Sequence, residues 1–108
     1  LRPEARPILE SVAETLRSPV YSKFKIAIEG HTDDNPVANG RFASNWELSA
    51  ARATNVVRLF GGAETPVHRM RAVAFAETQP KFANRDGAGN PLPENQAKNR
   101  RIIIRVHR

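Results

Sequence analysis

The sequence predicts an α+β two-layer sandwich, in which two helices pack on one face of a β-sheet. Two segments repeat apolar residues at helical spacing, and three others alternate or concentrate apolar residues as strands do. Along the chain these segments follow one another as helix, strand, helix, strand, strand. The 108 residues suit a single domain over residues 1–108, with a core that needs no disulfide or metal.

The first half of the chain contains one predicted helix and one predicted strand. Residues 3–17 carry apolar side chains at helical spacing, namely Ile8, Leu9, Val12, Ala13 and Leu16. Residues 23–29 alternate instead, which predicts a half-buried strand whose apolar face consists of Phe24, Ile26 and Ile28. Residues 31–43 are rich in Asp, Asn, Pro and Gly and show no period, so we expect a loop at the carboxyl end of this strand.

A capping signal marks the start of the second helix. Ser44 and Glu47 have the spacing of a capping box, in which a Ser at the N-cap pairs with a Glu three residues later. The apolar pattern that follows runs to about Phe60, and the pair Gly61 and Gly62 is expected to stop the helix.

The rest of the chain is predicted to form two strands separated by a loop. Residues 71–75 form a short apolar run, and residues 101–107 alternate Ile102, Ile104 and Val106 with more polar neighbours. Between the two strands, residues 77–97 contain three Pro and two Gly, which predicts a long exposed loop.

Charge and composition exclude several classes of protein and indicate one type of partner. The chain has no Cys, so it contains no thiol nucleophile or thiolate metal site. Its net charge is +6; residues 1–54 balance seven basic against seven acidic side chains, whereas residues 55–108 carry ten against four. This excess suggests an anionic partner. The start of the chain has neither an initiator Met nor a leader sequence, and we expect it to be a fragment of a longer protein.

Arg52 is the most informative residue of the second helix. At about 100° per residue, it falls within the apolar stripe that contains Leu48, and Asn45 lies on the same face. A buried guanidinium needs a carboxylate, which an internal acidic residue could supply, or its stem could reach towards solvent. The alternative is a site for a zwitterionic ligand, in which Asp33 binds an ammonium group and Arg52 binds a carboxylate.

Other chemistries have weaker support. The sequence His31-Thr32-Asp33-Asp34 could supply metal ligands, but it lacks the spacing of a dedicated site, and His68 and His107 are remote in sequence. No nucleophile elbow, P-loop or dinucleotide fingerprint occurs, so no cofactor is predicted. The basic last strand could contact nucleic acid, but it lacks the interleaved aromatic residues of single-strand binders.

Three blocks of sequence resemble a known family. They are residues 28–33 (Ile-Glu-Gly-His-Thr-Asp), residues 45–53 (Asn-Trp-Glu-Leu-Ser-Ala-Ala-Arg-Ala) and residues 99–102 (Asn-Arg-Arg-Ile). In this order they resemble the OmpA-like peptidoglycan-binding domain, which has a mixed sheet. Within that family, the second block and the enlarged loop at residues 34–43 are most similar to the periplasmic domain of motility protein B, the flagellar stator subunit.

This resemblance implies a noncatalytic site for the diaminopimelate of the peptidoglycan stem peptide. It assigns Asp33 and Arg52 as the ligand-binding pair, Asn45 and Leu48 as pocket residues, and Arg101 as an arginine that reaches the same site. The segment 83–96 departs from the family pattern because it is longer and richer in Pro and Gly.

The resemblance also implies a location and partners. It suggests a periplasmic homodimer, held in the inner membrane by an N-terminal helix outside this chain, with an ion-channel partner subunit. A peptidoglycan tether of an outer-membrane protein or lipoprotein is the first alternative. A basic nucleic-acid-binding module is the more distant one.

Overall fold

The computed structural model describes residues 6–21, 23–37, 40–62 and 69–107. Within them the chain forms three helices, a single 3-10 turn at Pro19–Tyr21 and three strands. In chain order the main elements are α1 (Arg6–Leu16), β1 (Lys25–His31), α2 (Asn45–Gly62), β2 (Met70–Ala76), α3 (Pro93–Asn99) and β3 (Ile102–His107). The predicted helix start at residues 3–5 and the candidate ligand His68 lie outside the described residues.

The three strands form a mixed sheet in the order β2-β1-β3. β1 runs parallel to β2 and antiparallel to β3, so Ile28 of the central strand lies opposite Ala72 on one side and Ile104 on the other. The connection between the two parallel strands is α2, as the βαβ arrangement requires. These features confirm the predicted α+β class with a mixed sheet.

The core lies between one face of the sheet and the helices. Ile26 and Ile28 of β1 are fully buried against apolar side chains of α1 and α2, namely Ala13, Leu16, Ala53, Val56 and Phe60. Burial of each large apolar side chain contributes about 1.5–3 kcal/mol relative to an exposed one. This packing fixes α2 across the carboxyl end of β1.

Two local predictions need correction. Ile8, assigned to the apolar face of the first helix, is 67% exposed. β1 was predicted to be half-buried, but every residue from Ile26 to His31 is buried. The helices cover one face of β1, and on the other face Arg105 contacts Glu29 and Phe75 stacks on His31.

The buried face of α2 is also rotated relative to the predicted one. The buried positions are Asn45, Ser49, Ala53, Val56 and Phe60. At about 100° per residue their centre lies about 60° from Arg52. Arg52 is therefore half-buried on the flank of this face, and Leu48 is half-buried as well.

The predicted loop over residues 77–97 is wrong in its last part, because α3 begins at Pro93. Pro93 suits a first helical turn, since the missing N–H has no partner there anyway. The buried residues of α3 are the polar Gln96 and Asn99. The sequence of α3 therefore has no apolar period from which a helix could be predicted.

Candidate functional site

The carboxyl ends of β1 and β2 meet the first turns of α2 at a point of close backbone approach. A Cβ atom at Gly30 would lie 2.1 Å from the carbonyl oxygen of Ser49, so only glycine permits this spacing. The hydroxyl of Ser49 accepts the N–H of Ala76 at 3.1 Å, and it donates to the carbonyl of Trp46 at 3.1 Å. The start of α2 is thereby fixed over the ends of both strands.

The N-cap predicted at the start of α2 is present, and Glu47 contacts the hydroxyl of Ser44. The Ser44 hydroxyl oxygen accepts the N–H of Trp46 at 3.1 Å, as an N-cap residue should. The Glu47 carboxylate accepts the Ser44 hydroxyl proton, with Oε2 at 2.7 Å and Oε1 at 2.9 Å. The sequence therefore specifies where α2 begins, and with it the position of Asn45.

Asp33 lies in the loop that follows β1 and is only 6% exposed. One carboxylate oxygen, Oδ1, accepts the N–H of Asn35 at 3.0 Å in an Asx turn. The other, Oδ2, accepts Nη1 of Arg100 at 2.5 Å. A carboxylate has about four acceptor positions, so these two contacts leave capacity for a further donor.

Asn45 joins this loop to α2. Its side-chain amide donates to the carbonyl oxygen of Asn35 at 3.0 Å and to the carboxylate of Glu77 at 2.8 Å. The carbonyl oxygen of Asp33 lies 3.4 Å from the same nitrogen. Asp33 and Asn45, both predicted from the sequence, are thus neighbours in the folded chain.

Asp34 connects the same loop to the segment before β3. Its carboxylate accepts Nε2 of Gln96 at 2.9 Å and Nε of Arg85 at 2.7 Å. Burial opposes ionisation of Asp34, but the hydrogen bonds from Gln96 and Arg85 outweigh it and hold its pKa below the usual value. Asp34 therefore acts as a structural anion that holds α3 against the Asp33 loop.

Asn99 is fully buried and organises the residues before β3. Its Oδ1 accepts the N–H groups of Lys81 at 2.9 Å and Phe82 at 3.0 Å. Its Nδ2 donates to the Phe82 carbonyl at 2.8 Å and to Oδ1 of Asn84 at 2.7 Å. All four hydrogen-bonding positions of this amide are filled, which fixes the chain immediately before Arg100.

The two consecutive arginines after α3 have different contacts. Arg100 forms the ion pair with Asp33. Arg101 exchanges backbone hydrogen bonds with His31, and its guanidinium donates to the carbonyl oxygens of Gln79 at 2.9 Å and Asn99 at 3.4 Å. Sequence analysis did not assign Arg100; the Asn-Arg-Arg block contained it, but nothing local shows which arginine reaches Asp33.

The predicted site residues therefore lie as follows. The structure brings Asp33 and Asn45 together at the carboxyl end of β1. Leu48 and Arg52 follow on the next turns of α2, and Arg52 has an interaction partner of its own. That Arg52 binds a ligand together with Asp33, and that Arg101 reaches the same site, remain predictions.

A second charged cluster lies at the middle of the sheet, on the face opposite to Ile26 and Ile28. Glu29 accepts Nε of Arg105 at 2.5 Å, and its other oxygen lies 3.1 Å from Nε2 of His31. The His31 ring stacks on Phe75, with 5.0 Å between ring centroids. Burial opposes ionisation of Glu29, but the hydrogen bonds from Arg105 and His31 outweigh it and lower its pKa.

The described ranges contain neither a cluster that could hold a metal ion nor a helix that could cross a membrane. No cluster of three or more His, Asp or Glu side chains in them is arranged to hold a metal ion. No helix in the same ranges is both long and apolar enough to cross a bilayer.

Comparison with protein families and curated relatives gives consistent matches. The model of the OmpA family matches residues 1–101. The protein YtxE of Bacillus subtilis is 41% identical over 80 residues, which cover 73% of this chain and 31% of that protein. Motility protein B of the same organism is 31% identical over 109 residues, covering 98% of this chain and 38% of that protein. The chain thus spans about a third of the length of these relatives.

Solved structures share the fold over nearly the whole chain. A putative MotB-like protein from Desulfovibrio vulgaris superposes with a TM-score of 0.83 and 36% identity, covering 100% of this chain and 62% of that one. The cell wall anchor of the T6SS from Pseudomonas aeruginosa superposes with a TM-score of 0.79 and 34% identity. The match covers 99% of this chain and 68% of that one. The C-terminal domain of Helicobacter pylori MotB superposes with a TM-score of 0.84 and 24% identity, covering 100% of this chain and 76% of that one. At this identity the match shows the shared fold alone.

Proposed function

Since this chain belongs to the OmpA family, we propose that it is a noncatalytic domain that binds peptidoglycan and anchors a membrane complex to the cell wall. Two kinds of relative support this proposal. One is named motility protein B, and another is described as the cell wall anchor of the T6SS. The capture is reversible, because ionic contacts and hydrogen bonds suffice and no nucleophile is needed.

The ligand group that the site fits best is the zwitterionic end of diaminopimelate in the stem peptide. The observation that carries this proposal is the buried Asp33 carboxylate paired with Arg100. Asp33 has acceptor capacity for an ammonium group, and Arg100 has five N–H donors, of which the contact with Asp33 uses one. An amino acid carries both complementary charges on one carbon, so it can contact the two partners together.

The remaining site residues complete the pocket on the side of α2. Arg52 supplies the second cation for the ligand carboxylate, and Asn45 and Leu48 line the approach from the first turns of the helix. Arg101 is included as predicted from the resemblance. Arg100 joins this set on structural grounds, because it is the arginine in contact with Asp33.

The wider biological setting follows from the same relatives. We place the domain in the periplasm as part of a flagellar stator, with a parent protein held in the inner membrane by a single N-terminal helix. In that setting it forms a homodimer and works with an ion-channel partner subunit. The support is the match to motility protein B over 98% of this chain.

A second candidate is a wall tether of a different complex, such as an outer-membrane protein or lipoprotein. The observation that favours it is the likeness to the cell wall anchor of the T6SS, at 34% identity over 99% of this chain. The N-terminal sequence of the parent separates the two. A single inner-membrane helix supports the stator, and a barrel or lipid attachment site supports the tether.

The experiment that tests the proposal is co-sedimentation of the 108-residue domain with purified peptidoglycan. Asp33→Asn keeps the shape of the Asx turn but removes the charge, and we expect affinity to fall about 30-fold or more. Asp86→Asn is the matched control, since Asp86 accepts the N–H groups of Ala88 and Asn90 in a similar turn on the exposed loop.

Arginine variants test the other half of the site. Arg52→Gln should weaken sedimentation, whereas Arg58→Gln, an exposed arginine further along α2, should not. Circular dichroism and thermal melting establish that each variant is folded. Unchanged sedimentation of folded Asp33→Asn and Arg52→Gln contradicts the site, and binding that falls steeply with salt but ignores both changes indicates a polyanion partner such as nucleic acid instead.

A further inference from the structure

Most of the surplus positive charge of the second half is not accounted for by the proposed site, which takes only Arg100 and Arg101 from that half. Part of it lines a groove between the loop after β2, the end of α3 and the start of β3. We call this the basic groove; its lining residues are Lys81, Phe82, Lys98, Arg101, Ile102 and Ile103. Three of these six side chains are cationic, and none of the described residues that line the groove is acidic.

Phe82 contacts both lysines of the groove, and its backbone is anchored to Asn99. The residue is 39% exposed, although its backbone N–H and carbonyl are both hydrogen-bonded to the buried Asn99. The ammonium group of Lys98 lies 5.0 Å from the ring centroid, and that of Lys81 lies 5.9 Å from it. Cations at such distances are attracted to the aromatic ring, so both lysines are held beside Phe82.

Arg101 forms the inner wall of the basic groove. Its terminal nitrogens donate to carbonyl oxygens, and its Nε is buried without a hydrogen-bond partner among the described residues. Burial lowers the pKa of Arg101, an effect that the nearby Glu29 opposes and Arg105 reinforces. An anion in the groove would stabilise this incompletely satisfied guanidinium.

The basic groove and the proposed site share one short segment of chain. Gln96 and Arg100 bond to Asp34 and Asp33 respectively, and Lys98 and Arg101 line the groove. We propose that the basic groove binds a second free carboxylate of the same stem peptide whose diaminopimelate contacts Asp33. This inference rests on the proposed function and extends it, because it makes the stem peptide a ligand with two points of attachment.

The test uses nuclear magnetic resonance of the 108-residue domain with two synthetic stem peptides. One has all its carboxylates free, and the other is amidated everywhere except on the diaminopimelate side chain. We expect the free peptide to move the amide signals of both Asn35 and Phe82, and the amidated peptide to move Asn35 alone. Lys81→Gln combined with Lys98→Gln should weaken binding of the free peptide about 3- to 10-fold and leave the amidated peptide unaffected.

The matched control is Lys23→Gln combined with Lys25→Gln, which removes two exposed lysines at the other end of β1 and should leave both affinities unchanged. A free peptide that moves Asn35 but not Phe82 overturns the groove assignment and leaves the proposed function intact. An unmoved Asn35 contradicts the proposed function itself. If inorganic phosphate moves Phe82 as strongly as the stem peptide does, the groove is a general anion site, and its assignment to the stem carboxylate is wrong.

Discussion

The guanidinium of Arg100 lies 2.5 Å from the carboxylate of Asp33, and this contact joins two parts of the chain that are 67 residues apart. Asp33 follows the central strand, and Arg100 follows a short helix that the sequence pattern does not reveal. The contact is therefore a product of the tertiary fold. It gives the proposed site an observed pair of opposite charges.

Replacing Arg100 should weaken peptidoglycan binding more than it weakens the fold. The side chain is 39% exposed, so Arg100→Gln costs little stability, about 1 kcal/mol or less. The substitution removes the cation that pairs with Asp33, and with it a hydrogen-bond donor to the ligand. We therefore expect the affinity for peptidoglycan to fall about 10-fold. Co-sedimentation measures this, with Arg58→Gln as control; equal binding by the two variants would exclude Arg100 from the site.

Gly30→Ala should destabilise the domain strongly. The added Cβ would lie 2.1 Å from the carbonyl oxygen of Ser49, which is backbone and cannot rotate away. We expect the free energy of unfolding to fall by about 1–3 kcal/mol or more, since overpacking usually costs that much. Urea denaturation measures it, and Gly87→Ala is the control because a Cβ there meets no atom within 4 Å. A loss equal to that of the control would contradict the close approach.

Asn99→Ala should release the segment that carries Phe82. The variant removes the acceptor of the Lys81 and Phe82 N–H groups. It also removes the hydrogen bonds that Asn99 donates to the Phe82 carbonyl and to the Asn84 side chain. We expect a loss of about 2–4 kcal/mol in unfolding free energy. Faster amide exchange at these two residues should accompany it. Asn55→Ala, on the exposed side of α2, should change neither quantity; slow exchange in folded Asn99→Ala would show that other contacts hold the segment.

Acidification should remove the stabilising effect of Glu29. Its pKa is lower in the folded chain than the ordinary value of 4.5, so its contribution is complete above that value and is lost as the pH falls through the lowered one. Urea midpoints between pH 6 and pH 2.5 should therefore fall less steeply in Glu29→Gln than in the parent. Glu94→Gln, at the exposed start of α3, should keep the parental slope. Parallel slopes for Glu29→Gln and the parent would contradict the ion pair with Arg105.

Much of the fold could be predicted because its signals are local. The apolar periods of α1, α2 and β3 and the capping box at Ser44 each depend on residues a few positions apart. Asp33 was identified from its place after the first strand, and Asn45 from its position on the face of Arg52 and from the family resemblance. The face of α2 was harder, because Asn45 and Ser49 are polar and yet buried. If only apolar residues are counted, the predicted buried face of the helix is rotated away from the observed one.

What the sequence determined by itself is the order and type of the main elements, the family and the loop that carries Asp33. The tertiary structure alone decided that Arg100 contacts Asp33, that α3 forms, and that Glu29 is buried with Arg105. These features depend on hydrogen bonds and ion pairs between residues far apart in the chain. Such contacts obey no sequence period, because their partners meet only after the sheet and helices have packed together.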